Sequence, residues 1–352
     1  MKITLFGLSA LVCMAAFAAT PTITGVTAQQ RYPWNGLVDL KFTINGDDDK
    51  LYSTSVVARD LLAGTNIIAN TIYNTDGTLV SKEEMLSPRA YNWVWDATAD
   101  LPEGWNSEVS VKVEAEEKSP SPTVKSGLVA WWPFNGNLND CSGNKHHLDG
   151  TVTYVSGRRS ESFTAAHFTG TSFLTQKTNL GVSGAMTIAC WVNNPTHEVP
   201  KSDIEDHLGT IGRGNYGQGW VHFAMIVFPS YVSSGRGIGL SVAKNRIDVF
   251  AHGSSFYNVF LGYPVSITSG WHHIAITVGK SATPILYYDG VKVATGSTSW
   301  NGYEVYLDKG SSIGGGNTYS GNNYYKGDID DIVVYNRILS ANEIKQLYDD
   351  GK

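Results

Sequence analysis

The chain has 352 residues, of which 42% are hydrophobic and 11% aromatic, so it carries ample apolar material for packed cores. Its length suggests two domains. The formal net charge is −6 and there is no long basic stretch, which argues against a nucleic acid or an anionic membrane as the partner.

Residues 1–18 have the pattern of a secretory signal sequence. Lys2 supplies the positive end, Ile3–Phe17 is mostly apolar, and Ala16–Ala18 fits a small-x-small cleavage site. The apolar run is too short for a typical membrane-spanning helix. Lipoprotein processing at Cys13 is the alternative, although the residue before it is not small. We therefore expect a protein that is secreted or held at the cell surface, with no membrane span.

Residues 19–117 alternate short strand-like runs with turn signals. Such spacing is typical of an immunoglobulin- or fibronectin-like sandwich. Between the first two runs, Tyr32 and Trp34 flank Pro33 in a polar loop. Because large aromatic side chains pack more often than they bind, we interpret these two as caps on the core. The predicted strands are Ile23–Ala28, Leu37–Ile44, Ser53–Asp60, Ala90–Asp96 and Glu108–Ala115.

Residues 118–126 have the composition of a linker. Their two prolines and their serines favour an extended spacer with little to pack against. Residues 127–352 then form the second predicted domain, in which strand-like runs dominate until the end.

The stretch 326–350 reads as a closing strand, a turn and a capped helix. Ser340 is the predicted N-cap and Glu343 its capping-box partner. In the strand, alternation places Asp330 on the same face as Ile332 and Val334. A carboxylate in line with two core aliphatics is costly unless something neutralises it, and a metal ion is the obvious candidate.

Several motifs in this order resemble the laminin-G-like members of the concanavalin A-type jelly rolls. The resemblance covers residues 127–352 and implies an antiparallel two-sheet sandwich with a short C-terminal helix. We thus predict an all-β protein, an immunoglobulin-like sandwich followed by this jelly roll. Besides the closing stretch, the motifs are Gly127–Asn144, Met186–Val192, Gly270–Val278 and Tyr288–Val293.

The resemblance also implies a structural calcium ion between the opening loop and the closing strand. Its expected ligands are Asp140, Asn144 and Asp330, and Ser142 could add an oxygen. Calcium takes six to eight oxygen ligands, and the loop is dense in them. The alternative is an Asx-turn loop that holds no ion.

Cys141 and Cys190 remain after export into an oxidising compartment, where a pair can form a disulfide. The alternative is two small buried thiols at positions where relatives commonly carry small residues.

Two segments mix glycine, amides and aromatic residues in the way that sugar- or protein-binding loops do. They are Gly212–Trp220 and Gly314–Lys326. The alternative is plain solvated loops, since such sandwiches need long Gly/Asn connections. The candidate ligand-binding residues are Tyr216, Trp220, Tyr319, Asn322, Asn323, Tyr324 and Tyr325.

No motif indicates catalysis. No glutamate after the linker is followed two positions on by a second acid in a strand-like run, as retaining glycosidases of this fold require. His272 and His273 are adjacent on a strand, point to opposite faces and cannot share a zinc ion. We expect a non-catalytic recognition protein for an extracellular carbohydrate. The alternatives are an adhesion or scaffold module for a surface protein and, less favoured, a divergent polysaccharide-active enzyme.

Overall fold

The computed structural model divides into two compact units, the first within residues 1–120 and the second within 121–158 and 163–352. The described residues are 4–7, 21–47, 51–80, 82, 85, 87–101, 108–117, 122–158, 164–198, 212–214, 225–228, 236–252, 257–296, 305–307, 311–315 and 324–352.

The first unit contains eight strands and one short helix among its described residues. They are β1 (Thr4–Gly7), β2 (Thr22–Gln30), β3 (Leu37–Asn45), β4 (Tyr52–Asp60), β5 (Asn66–Ile68), β6 (Ile72–Asn74), β7 (Arg89–Asp96), α1 (Ala97–Asp100) and β8 (Glu108–Glu117).

These strands form two four-stranded sheets, in the orders β1-β8-β4-β5 and β2-β3-β7-β6. The five strands predicted in this region correspond to β2, β3, β4, β7 and β8. Strand β1 lies within the predicted signal sequence and pairs in parallel with β8. Alternating residues of the facing strands, including Leu40, Trp95 and Val111, build the core of the unit. The immunoglobulin-like topology stays a prediction.

Tyr32 and Trp34 do not cap this core, so our interpretation of them was wrong. Their exposed fractions are 83% and 48%. Both lie in the loop between β2 and β3, beyond the last paired residues of those strands. Residues carried by β3 and β7, such as Val38 and Trp95, fill the core near that loop.

The second unit is built almost entirely of strands and ends in a helix. Its described elements are β9 (Leu128–Trp132), β10 (Leu148–Asp149), β11 (Thr153–Val155), β12 (Ala165–Thr169), β13 (Leu174–Gln176), β14 (Val182–Ser183), β15 (Ala185–Asn193), β16 (Gly212–Gly214), β17 (Met225–Phe228), β18 (Arg236–Ala243), β19 (Arg246–His252), β20 (Tyr257–Pro264), β21 (Trp271–Gly279), β22 (Ala282–Tyr288), β23 (Val291–Thr295), β24 (Val305–Leu307), β25 (Ser312–Ile313), β26 (Lys326–Tyr335) and α2 (Ala341–Asp350).

Two large sheets enclose the core of this unit. One has the order β11-β12-β26-β15-β21-β22-β23, with β9 also paired to β26, and the other runs β10-β13-β25-β17-β18-β19-β20-β16. Alternate residues of the central strand β15, Ile188, Cys190 and Val192, point into the core. The closing strand β26 thus lies inside its sheet, paired with β12, β15 and β9.

A β-bulge in β26 reverses the face assignment that strict alternation predicts. Asp331 has φ 46°, and the register against β15 shifts beside it. One extra residue shifts the phase of the strand, so Ile329 and Ile332 both reach the core. Asp330 therefore does not share a face with Ile332. It lies opposite Trp191 on the outer side of the sheet.

Helix α2 covers the outer side of this sheet. Ser340 and Glu343 form the predicted capping box. Ile344 and Leu347 are buried, and the ring of Tyr348 stacks on Trp191 with centroids 5.7 Å apart. Among the described residues, no helix is long and apolar enough to span a bilayer.

The second half of the predicted linker packs on the second unit instead of forming a free spacer. Val124 is buried, and its carbonyl accepts a hydrogen bond from the Tyr335 hydroxyl at 2.8 Å. The Arg337 side chain donates to the Ser126 carbonyl at 2.7 Å. These partners come from β26 and the turn after it, which the linker composition does not reveal.

Candidate functional site

Asp330 is neutralised by an arginine. The guanidinium of Arg158 lies 2.7 Å from Asp330 Oδ2 and also pairs with Asp331. The side chains of Arg158 and Asp330 are only 6% and 3% exposed. The same guanidinium lies over the ring of Trp191, and Trp131 Nε1 donates to Asp331 Oδ1 at 2.6 Å. The bulge in β26 lets two successive carboxylates reach one cation.

Asp140 serves as the centre of a hydrogen-bonded turn. Its carboxylate accepts from the backbone N–H groups of Trp131, Ser142 and His146, each at 2.9 Å. The Ser142 hydroxyl donates to it at 2.9 Å as well. Asn144 turns its amide nitrogen inward, donating to the Val129 carbonyl at 2.9 Å.

The predicted calcium ligands therefore do not fit one ion. The carboxylate of Asp140 already accepts hydrogen bonds from the protein, and that of Asp330 is paired with Arg158. Asn144 presents its amide N–H groups where a ligand oxygen was expected. In the part of the chain that the structure describes, no group of three or more His, Cys, Asp or Glu side chains is arranged to hold a metal ion. The loop matches the alternative interpretation, a turn closed by its own side chains.

The two cysteines are buried and not bridged, which matches the alternative of two buried thiols and not the predicted disulfide. Cys190 belongs to the core between the sheets, and burial raises the pKa of its thiol to about 12. Cys141 follows the Asp140 turn and donates its backbone N–H to the Trp131 carbonyl at 2.8 Å. Cys141 is also buried, but it is not among the residues of the core cluster that contains Cys190.

His272 and His273 point to opposite faces, as predicted. His272 Nδ1 lies 2.9 Å from Asp289 Oδ2. His273 is buried beside Trp191, and its Nδ1 has no hydrogen-bond partner. Burial, and to a smaller extent the charge of Arg158, lowers the pKa of His273 to about 3. His273 is therefore a neutral packing residue at ordinary pH.

Tyr325 does not face a ligand, contrary to prediction. It is fully buried in the core, its ring meets Phe168 edge to face at 6.2 Å, and its hydroxyl donates to the Asp328 carbonyl at 3.3 Å. Tyr324, one residue earlier, points the other way and is half-buried. The other predicted ligand-binding residues lie outside the described residues; they are Tyr216, Trp220, Tyr319, Asn322 and Asn323.

Tyr324 belongs to an aromatic and hydroxyl-rich surface that we call the rim. Its ring stacks on that of Phe173 with centroids 6.2 Å apart and an interplanar angle of 26°. Beside them the exposed hydroxyls of Thr169 and Thr171 lie 2.9 Å apart. The rim consists of His167, Thr169, Thr171, Phe173, Asn193, Tyr324, Lys326 and Asp328.

A charged and polar group completes the rim. Asp328 lies 2.6 Å from Nδ1 of the half-exposed His167 and accepts from the Asn193 amide at 3.1 Å. Lys326 is exposed next to them and pairs across the sheet with Thr169. Such a set offers both donors and acceptors to the hydroxyls of a ligand, while the stacked rings offer an apolar face.

The pairing of β12 with β26 creates the rim. It places His167 opposite Asp328 and Thr169 opposite Lys326. Sequence reasoning found Tyr324 but missed the residues of β12 and the turn after it, including Phe173. The only local signal was the run 169–173, which contains hydroxyl residues and glycine and directly follows a strand. That run does not reveal that β12 pairs with β26.

The chain resembles several known proteins. The family model Laminin_G_3, described as the concanavalin A-like lectin/glucanases superfamily, matches residues 168–345. A search of curated proteins found no match. Among solved structures, domain 4 of the GH43 extracellular arabinanase AbnA from Geobacillus stearothermophilus, in complex with arabinotriose, is 19% identical, with a TM-score of 0.43 over 63% of this chain and 98% of that domain.

Two toxin domains show comparable similarity. The binding domain of Paraclostridial Mosquitocidal Protein 1 is 17% identical, with a TM-score of 0.43 over 64% of this chain and 52% of that one. The binding domain of botulinum neurotoxin DC, in complex with rat synaptotagmin II, is 12% identical, with a TM-score of 0.45 over 65% of this chain and 53% of that one. The chain thus spans about half the length of each toxin domain.

Proposed function

Because the chain belongs to the Laminin_G_3 family of the concanavalin A-like lectin/glucanases superfamily, we propose that it is a non-catalytic recognition protein for an extracellular carbohydrate. The rim is the proposed contact surface. One observation carries the proposal, namely the Phe173–Tyr324 stack beside exposed hydroxyls and the His167–Asp328 pair. A pyranose ring has an apolar face that stacks on aromatic rings and hydroxyl groups that need directional partners.

The described glutamates of the second unit support a role without catalysis. Glu198 pairs with Lys244, and Glu343 pairs with Arg337 while capping α2. Both thus serve ion pairs at the surface.

Binding is tested with the full chain on a glycan array and by electrophoresis through gels that contain soluble neutral polysaccharides. Wild type is expected to bind at least one carbohydrate class, and Tyr324→Ala is expected to lose about tenfold or more in affinity, as when an aromatic anchor is removed. The matched control is Tyr73→Ala, another half-buried tyrosine in the first unit. No binding by wild type, or equal binding by Tyr324→Ala, would overturn the proposal.

Export is part of the same proposal. The positive, apolar and small-residue regions of 1–18 support it. Mass spectrometry of protein from the culture medium or cell surface should find an N-terminus near Ala19. An intact Met1 in that material would contradict export by cleavage.

A further inference from the structure

The first unit exposes large apolar side chains on two loops. Between β2 and β3, Tyr32 and Trp34 are 83% and 48% exposed. Between β4 and β5, Leu61 and Leu62 are 42% and 79% exposed. Single exposed apolar side chains are normal on a protein surface, but groups of them mark interaction sites.

Both loops lie at the same end of the sandwich. Strand β3 leads away from the Tyr32 loop, and β4 returns from the opposite end, where the Tyr52 hydroxyl donates to the Asp47 carbonyl at 3.3 Å. The end of β4 therefore brings Leu61 and Leu62 back to the level of the aromatic loop, one loop from each sheet. We call Tyr32, Trp34, Leu61 and Leu62 the apolar end.

Hydrogen bonds hold both loops in place. Arg31 N–H donates to the Leu37 carbonyl at 2.9 Å at the base of the first loop, whose two rings meet edge to face at 5.8 Å. In the second loop, Asp60 Oδ1 accepts from the N–H groups of Leu62 and Ala63 at 2.8 and 3.0 Å. A surface that is already ordered loses less conformational entropy when it binds.

The charges around the apolar end favour a basic partner. Acidic side chains outnumber basic ones there among the described residues. The acids are Asp39, Asp60, Asp96, Asp100 and Glu108, and the bases are Arg31, Arg59 and Lys82. Like charges across an interface are costly, so an anionic lipid surface is disfavoured.

We propose that the apolar end is a docking surface for a protein that presents an apolar contact flanked by lysine or arginine side chains. Tyrosine and tryptophan are enriched among the residues that dominate protein–protein binding energy, and arginine with them. Arg31 adds such a residue next to the rings, held to Asp39 at 2.7 Å. This role is independent of carbohydrate binding at the rim.

The test uses the full chain and a fluorescent amphipathic peptide of alternating leucine and lysine, followed by anisotropy. The comparison peptide alternates leucine and glutamate. We expect the leucine–lysine peptide to bind more tightly, and the double variant Trp34→Ser with Leu62→Ser to lose about tenfold or more in affinity. Val291→Ser is the matched control, because Val291 is 61% exposed in the second unit and should leave binding unchanged.

The variants leave the charge of the chain unchanged, so general attraction of a cationic peptide to an acidic protein is controlled. A second double variant, Tyr32→Ser with Leu61→Ser, repeats the test if the first fails to fold. Equal binding by wild type and both variants overturns the proposal, as does equal binding of the two peptides. The proposal is also overturned if the wild type binds phosphatidylglycerol vesicles or a neutral polysaccharide and the double variants lose that binding. It is overturned as well if the wild type forms a dimer that the double variants do not form.

Discussion

At the scale of single residues, buried charge decides what Asp330 does. A carboxylate that is 3% exposed needs compensation, and Arg158 supplies it at 2.7 Å with Asp331 as a second anion. Removing one partner of a buried pair leaves the other charge poorly compensated, and this costs more than the pair itself contributes. The cluster therefore stabilises the folded state most when Arg158 and both aspartates are present.

Asp330→Asn should lower the free energy of unfolding by about 2–3 kcal/mol, because Arg158 keeps one of its two anions. Urea denaturation measures the change. Asp149→Asn is the control, since that residue pairs with Lys177 at a surface where both side chains are 62% exposed. A change there should stay within about 0.5 kcal/mol. Equal effects of the two substitutions would contradict the argument.

The same residue gives a test of the metal prediction. Since Arg158 already neutralises Asp330, we expect a chelator and added calcium to leave the wild-type melting curve unchanged. A fall in melting temperature on chelation that calcium restores, and that Asp330→Asn abolishes, would show that the predicted site exists after all.

His273 should make stability depend on pH. Its folded-state pKa is lowered to about 3 from an ordinary 6.5, so the unfolded chain binds the proton more readily. The stability from the neutral ring is fully present above pH 6.5 and is lost as pH falls towards 3, at no more than about 1.4 kcal/mol per pH unit. His273→Gln should flatten this slope in chemical denaturation between pH 6.5 and 4. An unchanged slope would show that the ring protonates without cost.

At the scale of elements, the bulge in β26 sets the faces of the closing strand. A left-handed backbone at Asp331 is tolerated by aspartate and asparagine, because their short polar side chains can bond locally. A β-branched residue there is strained. The conformation of one residue thus determines which of its neighbours face the core.

Asp331→Val should therefore be less stable than Asp331→Asn by about 1–2 kcal/mol, although both remove the same charge from Arg158. Asn can still accept the hydrogen bond from Trp131 Nε1 and Val cannot, so the difference combines the backbone strain with the loss of that bond. Urea denaturation of the two variants side by side measures it. If the two are equally stable, the bulge can relax without loss.

At the scale of the whole molecule, the state of the two cysteines shows whether the second unit is stabilised by packing alone or also by a disulfide. Cys141 and Cys190 are buried and not bridged, and the Cys190 thiol, whose pKa is raised to about 12, forms little reactive thiolate at neutral pH.

Both thiols should resist alkylation in the native protein and react fully in denaturant without reductant. Peptide mass spectrometry reads the labelled sites, and melting with and without reductant serves as the control, with no shift expected. Protection of both cysteines in the denatured, unreduced chain would mean that they are bridged.

The sequence by itself determined the elements whose signals are local. Strand-like runs between turn signals located five strands of the first unit, and Ser340 with Glu343 marked the start of α2. The family's motifs, spread through residues 127–352, then indicated the jelly roll. Each of these depends on neighbours in the chain or on a repeated motif.

Tertiary structure alone decided what depends on distant partners. One bulge shifted the phase of β26, and an arginine 172 residues earlier in the chain pairs with Asp330, where a metal ion was predicted. Pairing with β12 separated Tyr324 at the rim from Tyr325 in the core. The alternation along a strand tells which residues share a face of the sheet, but not which face is buried. Burial and charge compensation depend on which segments of the chain meet in space.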